Sequence, residues 1–499
     1  MQRFIASIAI LGLLIACSGG DDATQGAQAD ASATDASTAA SAADSVHATI
    51  LALRRGGNGG APPVTAPPSN AKDPGPRPVA GRDAGDKVVG LSPAQDKAFA
   101  AGLKEFSEDD GVAEGLGPTM NLNSCGGCHF HPAIGGSSPP LNPQIAFATA
   151  DGGTDKVPSF LSATGPIREV RFVRNPDGSP DGGVHGLFTI TNREGADGCN
   201  LSQPEFEAEL RRNNLVFRIP TPLFGAGLIE NIPDREIAQN QARLAPAKQA
   251  LGIRGRPNVL LTSSSISGQP NKNGNDGTIG RFGWKAQNKS LLIFAGEAYN
   301  VEMGITNGAF PTERDETPGC LIAPSPNTDF NLDPTQPPEA IISAIDRFTL
   351  FMRFLAPPKP DLSSDPQLAA SVSTGRGLFD VVGCALCHTP TLRTYEKTAV
   401  GALGGQEVNL FSDLLLHDMG RGLADGVQQG QAGGREWRSA PLWGLGQRLF
   451  FLHDGRTSDL RDAIAQHSSD GSEANGVTRK FFALPDPEQQ HLLNFLRSL

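Results

Sequence analysis

After one apolar run at residues 4–15, the sequence contains no second apolar stretch long enough to cross a bilayer as a helix, which excludes several membrane-spanning helices. Its composition, 38% hydrophobic and 19% charged over 499 residues, is that of a globular chain with room for about two or three domains. Positive charge is in deficit: 42 Lys and Arg stand against 53 Asp and Glu, a net charge of −11. That balance disfavours a nucleic-acid partner. Large apolar residues are scarce between Ser18 and about Gly90, where Ala, Asp, Gly, Pro, Ser and Thr predominate. A segment of that kind cannot bury enough surface to order itself, so residues 18–90 read as a flexible tether.

What the chain does contain is Cys-x-x-Cys-His, twice: Cys125, Cys128 and His129, then Cys384, Cys387 and His388. Two thiols on one helical turn can add to the two vinyl groups of a haem. The histidine directly after them then lies under the iron as its fifth ligand. A redox dithiol or a four-thiolate zinc site is the alternative, but neither needs a histidine in the next position both times. The motifs therefore point to two covalently bound haem c groups.

Of the seven cysteines, three remain. Cys17 closes Leu14-Ile15-Ala16-Cys17, behind Arg3 and the apolar run, so residues 1–17 read as an export signal. Those four residues resemble the bacterial lipobox, which implies a lipid on Cys17 and tethering to a bacterial membrane surface from the periplasm or cell envelope. An ordinary signal peptide with a chance cysteine is the alternative. Cys199 and Cys320 are either a disulfide, which an oxidising compartment permits, or two free thiols.

Order is expected from Ser92, where Ser-Pro-Ala-Gln supplies a helix cap, a first-position proline and a capping-box glutamine, with Phe99, Leu103 and Phe106 on one face. Residues 133–335 are rich in Gly, Pro and Asn and poor in helical periodicity; short strands are predicted at 167–173 and 186–191 and a helix at 203–213. A further helix is predicted at 337–355, and Ala356-Pro-Pro-Lys-Pro-Asp breaks it. The chain closes with Asp486 as a cap, Pro487 at the first position, and Leu492, Phe495, Leu496 and Leu499 on one face. The expected fold is mainly α. A first haem domain at 91–355 carries a large loop-rich insertion with short strands, and a C-terminal cytochrome c domain spans 356–499.

An iron with one protein ligand is open to peroxide or oxygen, whereas one with two is built for electron transfer. In residues 457–467, Leu460, Ile464 and His467 share an apolar helical face, so His467 is either a core histidine or a sixth ligand of the second haem. For the first haem no distal ligand presents itself. His131 follows the proximal histidine too closely, and Met120, His185, Met303 and Met352 have ordinary structural readings.

Taken together, GLGP at 115–118, the first CGGCH, FGWKAQ at 282–287, NVEMGIT at 300–306, the second CALCH, LHDMG at 416–420, EWRSAPLWGLG at 436–446 and FLHDGRTSDLRDAIAQH at 451–467 resemble the bacterial di-haem cytochrome c peroxidase superfamily. Within it they resemble the branch of di-haem oxidoreductases often labelled thiol oxidoreductases. The likeness runs from about Leu91 to Leu499. It implies that His467, fourteen positions after His453, is the distal ligand of the C-terminal haem. It also implies that Glu302 is the distal acid and that Trp284 lies between the haems as an electron bridge. The usual distal glutamine is replaced, Phe294 being nearest in register. His417, Met419 and His453 are expected to line the second haem, and Arg438 to lie near a propionate. Peroxidases of this kind can bind calcium, but no compact Asp/Asn loop here demands it. The label thiol oxidoreductase has no support, because the haems claim both Cys-x-x-Cys pairs.

The expectation is an exported di-haem enzyme that reduces hydrogen peroxide or another oxidant at an open first haem. Electrons would come from a small c-type cytochrome or cupredoxin, for which an acidic surface is suited. The rivals are an oxidising enzyme for a larger substrate or a partner protein, and a non-enzymatic electron-transfer lipoprotein.

Overall fold

Ser92 opens the first helix, α1 (Pro93–Phe106), by the predicted reciprocal cap: its hydroxyl accepts the Gln95 N–H, and the Gln95 side chain accepts the Ser92 N–H. The structure, a computed structural model, describes residues 65–78, 84–259, 265–266, 269–270, 278–327, 342–361 and 363–499. The export signal, Cys17 and the tether up to residue 64 lie outside them.

Helix outweighs strand, and the sheets have two or three strands each, so the chain is mainly α. The three-stranded sheet is antiparallel, with β1 (Glu169–Phe172) between β2 (Val184–His185) and β3 (Leu215–Arg218). On β1, Val170 and Phe172 turn into the apolar core, while Glu169 and Arg171 share the opposite face and line a cavity. The predicted strand at 186–191 is reduced to Phe188–Thr189, and the helix at 203–213 to Phe206–Arg211. The long middle region also holds α2 (Leu291–Met303), which periodicity did not reveal. Its buried positions, among them Leu291, Ala295, Glu297, Tyr299, Asn300 and Met303, run around the helix and leave no amphipathic stripe to read.

Two helix pairs organise the chain. In the first, α1 packs on α3 (Ala344–Phe354), with Phe106 4.8 Å from Phe351 between ring centres. Gly102 permits the crossing: a Cβ there would stand 2.4 Å from the Arg347 carbonyl oxygen. In the second, α4 (Pro366–Val382) leads into the second Cys-x-x-Cys-His. After β4 (Leu416–Asp418), its antiparallel partner β5 (Glu436–Arg438) and α5 (Leu460–Gln466), the chain ends in α6 (Asp486–Ser498), which packs on α4. Here a Cβ at Gly375 would stand 2.0 Å from the His491 carbonyl oxygen. Helix α3 begins at Ala344 behind the Ser343 cap, later than predicted, and residues 328–341 lie outside the described ones. Cys199 and Cys320 form a disulfide.

The tether reading fails for residues 65–78, which are packed on the C-terminal part of the chain. Ala71 is buried, and Asp73 accepts two 2.7 Å hydrogen bonds from Arg497 and one of 2.8 Å from Leu460 N at the start of α5. Asp486, expected to cap α6, is instead its first residue, and its carboxylate accepts Ser69 Oγ at 2.5 Å and Asn70 N at 3.0 Å. This strap is ordered by polar side chains that find partners on the folded body, which a count of its own apolar residues cannot show. Arg497 has 2% of its side chain exposed, so Asp73→Ala leaves a buried charge unpaired. The variant should lose about 3–5 kcal/mol in denaturant unfolding; a loss below about 1 kcal/mol, the worth of an exposed ion pair, would contradict this reading.

Candidate functional site

Ser124 caps the single turn Cys125–Cys128 through its hydroxyl, which accepts Gly127 N at 3.4 Å, and so sets both thiols on one turn. The His129 ring follows, with Nδ1–H donating to the Gly136 carbonyl at 3.1 Å. A carbonyl can only accept, so Nδ1 carries the hydrogen and Nε2 the lone pair, with the Thr221 carbonyl also beside the ring. Burial lowers the His129 pKa to about 4, which keeps the ring neutral and able to bind metal. The second motif repeats the device, as His388 Nδ1–H donates to the Phe411 carbonyl at 3.0 Å. Burial, then the nearby His467, lowers its pKa to about 4. His467 ends α5, a helix capped by Asp459, and donates Nδ1–H to the Ala463 carbonyl at 2.7 Å. Its pKa too is lowered by burial.

These groups line two cavities, of about 1130 Å³ and 1400 Å³ with their open mouths included. The first holds Cys125, Cys128, His129 and Glu302; the second holds Cys384, Cys387, His388 and His467. Trp284 borders both, and is the one residue on both walls among the described residues. Its indole N–H donates to the Ile219 carbonyl at 2.9 Å. Every residue singled out from the sequence as a ligand, attachment point, acid or bridge thus falls on one wall or the other.

A smaller cavity adjoins both, lined by Trp284, Phe294, Arg281, Arg438 and Arg448 among others. Arg438 bonds only to the carbonyls of Gly283 at 3.0 Å and Ser439 at 3.4 Å. The Arg448 side chain, 91% buried, has no hydrogen bond or ion pair among the described residues. Burial lowers both guanidinium pKa values to about 10, still charged at neutral pH. Two buried cations without a protein counter-charge call for anions, and the propionates of haems in the flanking cavities would supply them. The thiol pairs, the neutral imidazoles and this cation pair together fit a haem in each cavity.

On the first wall, Glu302 near the end of α2 accepts the Asn121 side-chain N–H at 2.7 Å. Asn121 is oriented in turn, because its side-chain oxygen accepts Leu187 N at 3.0 Å. Burial, then the neighbouring Glu169, raises the Glu302 pKa well above the usual carboxylic range. Phe294, in place of an amide donor, lines this cavity, as do Met303 and Met352; Met303 Sδ lies 3.8 Å from Cys125 Sγ. In the second cavity His417 has both nitrogens committed, to Glu473 at 2.9 Å and Asp413 at 3.1 Å, and His453 stacks on Trp437 at 3.8 Å. Asn121, Glu169, Arg171, Glu297 and Arg448 were missed from the sequence. The alternation of the predicted strand at 167–173 carried a signal for two of them, since Glu169 and Arg171 fall on one face.

Residues 180–499 match the family model described as "di-haem oxidoreductase, putative peroxidase". That span includes Trp284, Glu302, the second Cys-x-x-Cys-His and His467, but not the first motif. No curated protein matches the chain. A solved chain titled "Kuenenia stuttgartiensis Hydrazine Synthase Pressurized with 20 bar Xenon" aligns over 88% of this chain and 100% of its own, at 12% identity and a TM-score of 0.32. Removing the second imidazole by His467→Ala should convert the low-spin spectrum of the second haem in the matured protein to a high-spin one; an unchanged spectrum would remove His467 from the ligand set.

Proposed function

The chain belongs to the di-haem oxidoreductase family, and from that premise we propose that it reduces hydrogen peroxide at the first cavity with electrons delivered through the second. One observation carries the reading: the second cavity presents two imidazoles whose Nδ1–H is held by a main-chain carbonyl, those of His388 and His467, whereas the first presents only His129 so held, with a carboxyl group on its wall. Covalent attachment runs through Cys125 and Cys128 in the first cavity and Cys384 and Cys387 in the second. When bound, each haem supplies an iron that exchanges single electrons, and the first also an open position for peroxide.

The chain's own residues do the rest. His129 would hold one iron, and His388 and His467 would hold the other. Glu302 handles protons between the two peroxide oxygens, and the Asn121 amide fixes the direction of its carboxyl group. Arg438 and Arg448 would hold propionates, and Trp284, on both walls, would shorten the electron path between the sites. The protein is exported and held at a bacterial membrane surface by a lipid on Cys17, where a small c-type cytochrome or cupredoxin gives it electrons one at a time.

A second reading, oxidation of a larger substrate or a partner protein, is favoured by Phe294 on the first wall, where an apolar ring stands in place of an amide donor. Product analysis with candidate substrates separates the two. On the leading reading, Glu302→Gln should lower kcat/KM for peroxide by about 10²–10⁴-fold with both haem spectra retained. Turnover within about threefold of the parent's, too small a change for loss of a proton-transfer group, would contradict it.

A further inference from the structure

The acid expected from the sequence is not alone. Glu169, on β1, lines the same cavity as Glu302, and the two buried carboxyl groups lie close enough to act on each other directly. Two buried carboxylates sharing one wall repel each other when both are ionised, so the arrangement favours a single negative charge between them.

The surroundings decide which group carries it. Glu169 accepts the Arg171 guanidinium, and Arg218 on β3 adds a second positive charge. Burial pushes the Glu169 pKa up, but these two cations overcome it and leave it below the usual value. Glu302 bonds to the neutral Asn121 amide, and burial and the Glu169 carboxyl group outweigh the more weakly felt charges of Arg171 and Arg314. The other charged groups around the pair are accounted for. Arg218 is held by Asp425 at 2.7 Å, Glu297 on α2 accepts the Asn288 amide, and Arg314 donates to the Val184 carbonyl at 2.6 Å.

We propose that Glu169 and Glu302 form a one-proton acid pair that serves the first cavity, with the anion on Glu169 and the proton on Glu302. The proposal rests on the reading that peroxide binds at this cavity, and it divides between two groups a task expected of one. Already protonated, Glu302 cannot take a proton from incoming peroxide; ionised Glu169 receives it through the proton the pair shares. The pair, now with both protons, returns one to the departing oxygen as the O–O bond breaks. Over the full reaction, H₂O₂ takes two electrons from the external donor protein and two protons from solvent, by way of the pair, and yields two waters. Glu169 acts through Glu302 and is a positioning and proton-sharing residue.

The test is infrared difference spectroscopy of the matured ferric protein at neutral pH, in water and in deuterium oxide, on the parent, Glu302→Gln and Glu169→Gln. The expected result is a deuterium-sensitive carbonyl band of a protonated carboxylic acid that disappears in Glu302→Gln. In Glu169→Gln the band should shift, because its hydrogen-bond acceptor has changed. Absence of such a band in the parent, or a band unmoved by Glu169→Gln, overturns the pair. Should Glu302→Gln fail to mature, the band position in Glu169→Gln carries the test alone. Glu169→Gln should also lose the acid limb of the pH profile of peroxide consumption, which a purely structural role would leave in place; a retained limb at the parental rate overturns the proton-sharing role. The two readings fail separately. A pair seen by infrared in a protein indifferent to peroxide overturns the peroxidase reading alone, and peroxide turnover without the pair overturns the pair alone.

Discussion

Three imidazoles, those of His129, His388 and His467, donate Nδ1–H to a main-chain carbonyl inside an apolar wall, and the rest of the site depends on that arrangement. The carbonyl fixes the tautomer, the wall keeps the ring neutral, and Nε2 keeps the lone pair that a metal would take. The same device appears once around the first cavity and twice around the second. The proposed division between a site for a small oxidant and a site for electrons rests on this asymmetry more than on any single residue.

The fold holds these rings by putting each Cys-x-x-Cys-His beside a helix crossing too close for any side chain larger than hydrogen. Gly102 sits against the Arg347 carbonyl in one crossing and Gly375 against the His491 carbonyl in the other. Between the cavities, Arg438 and Arg448 keep positive charge buried without a protein counter-charge, a cost that anionic cofactor groups would relieve. The strap around Asp73 bonds to the first residue of α5, the helix that ends at His467, so order in a segment of unpromising composition reaches the second cavity.

Much of the placement was legible in the sequence where particular residue types stand at a fixed spacing. The two Cys-x-x-Cys-His motifs are of that kind, and so are the Ser92 cap and the apolar face that turns His467 inward. Helix α2 was not legible, because a helix buried around its circumference has no stripe. The order of residues 65–78 was hidden for a related reason, since their partners are Asp486, Arg497 and Gly446, far along the chain. Glu169 and Arg171 were half visible: the strand was predicted, but only the folded sheet shows that its polar face meets Glu302. The resemblance supplied Glu302 and Trp284, and the cavity walls supplied the neighbours that decide their chemistry.

The central claim is that one haem is open and reactive while the other is closed. It is tested most directly by low-temperature electron paramagnetic resonance of the matured ferric protein, before and after addition of hydrogen peroxide. The account predicts one high-spin and one low-spin signal, with the high-spin signal consumed by peroxide. Two low-spin signals indifferent to peroxide, in the oxidised and half-reduced protein alike, would contradict it and leave an electron carrier.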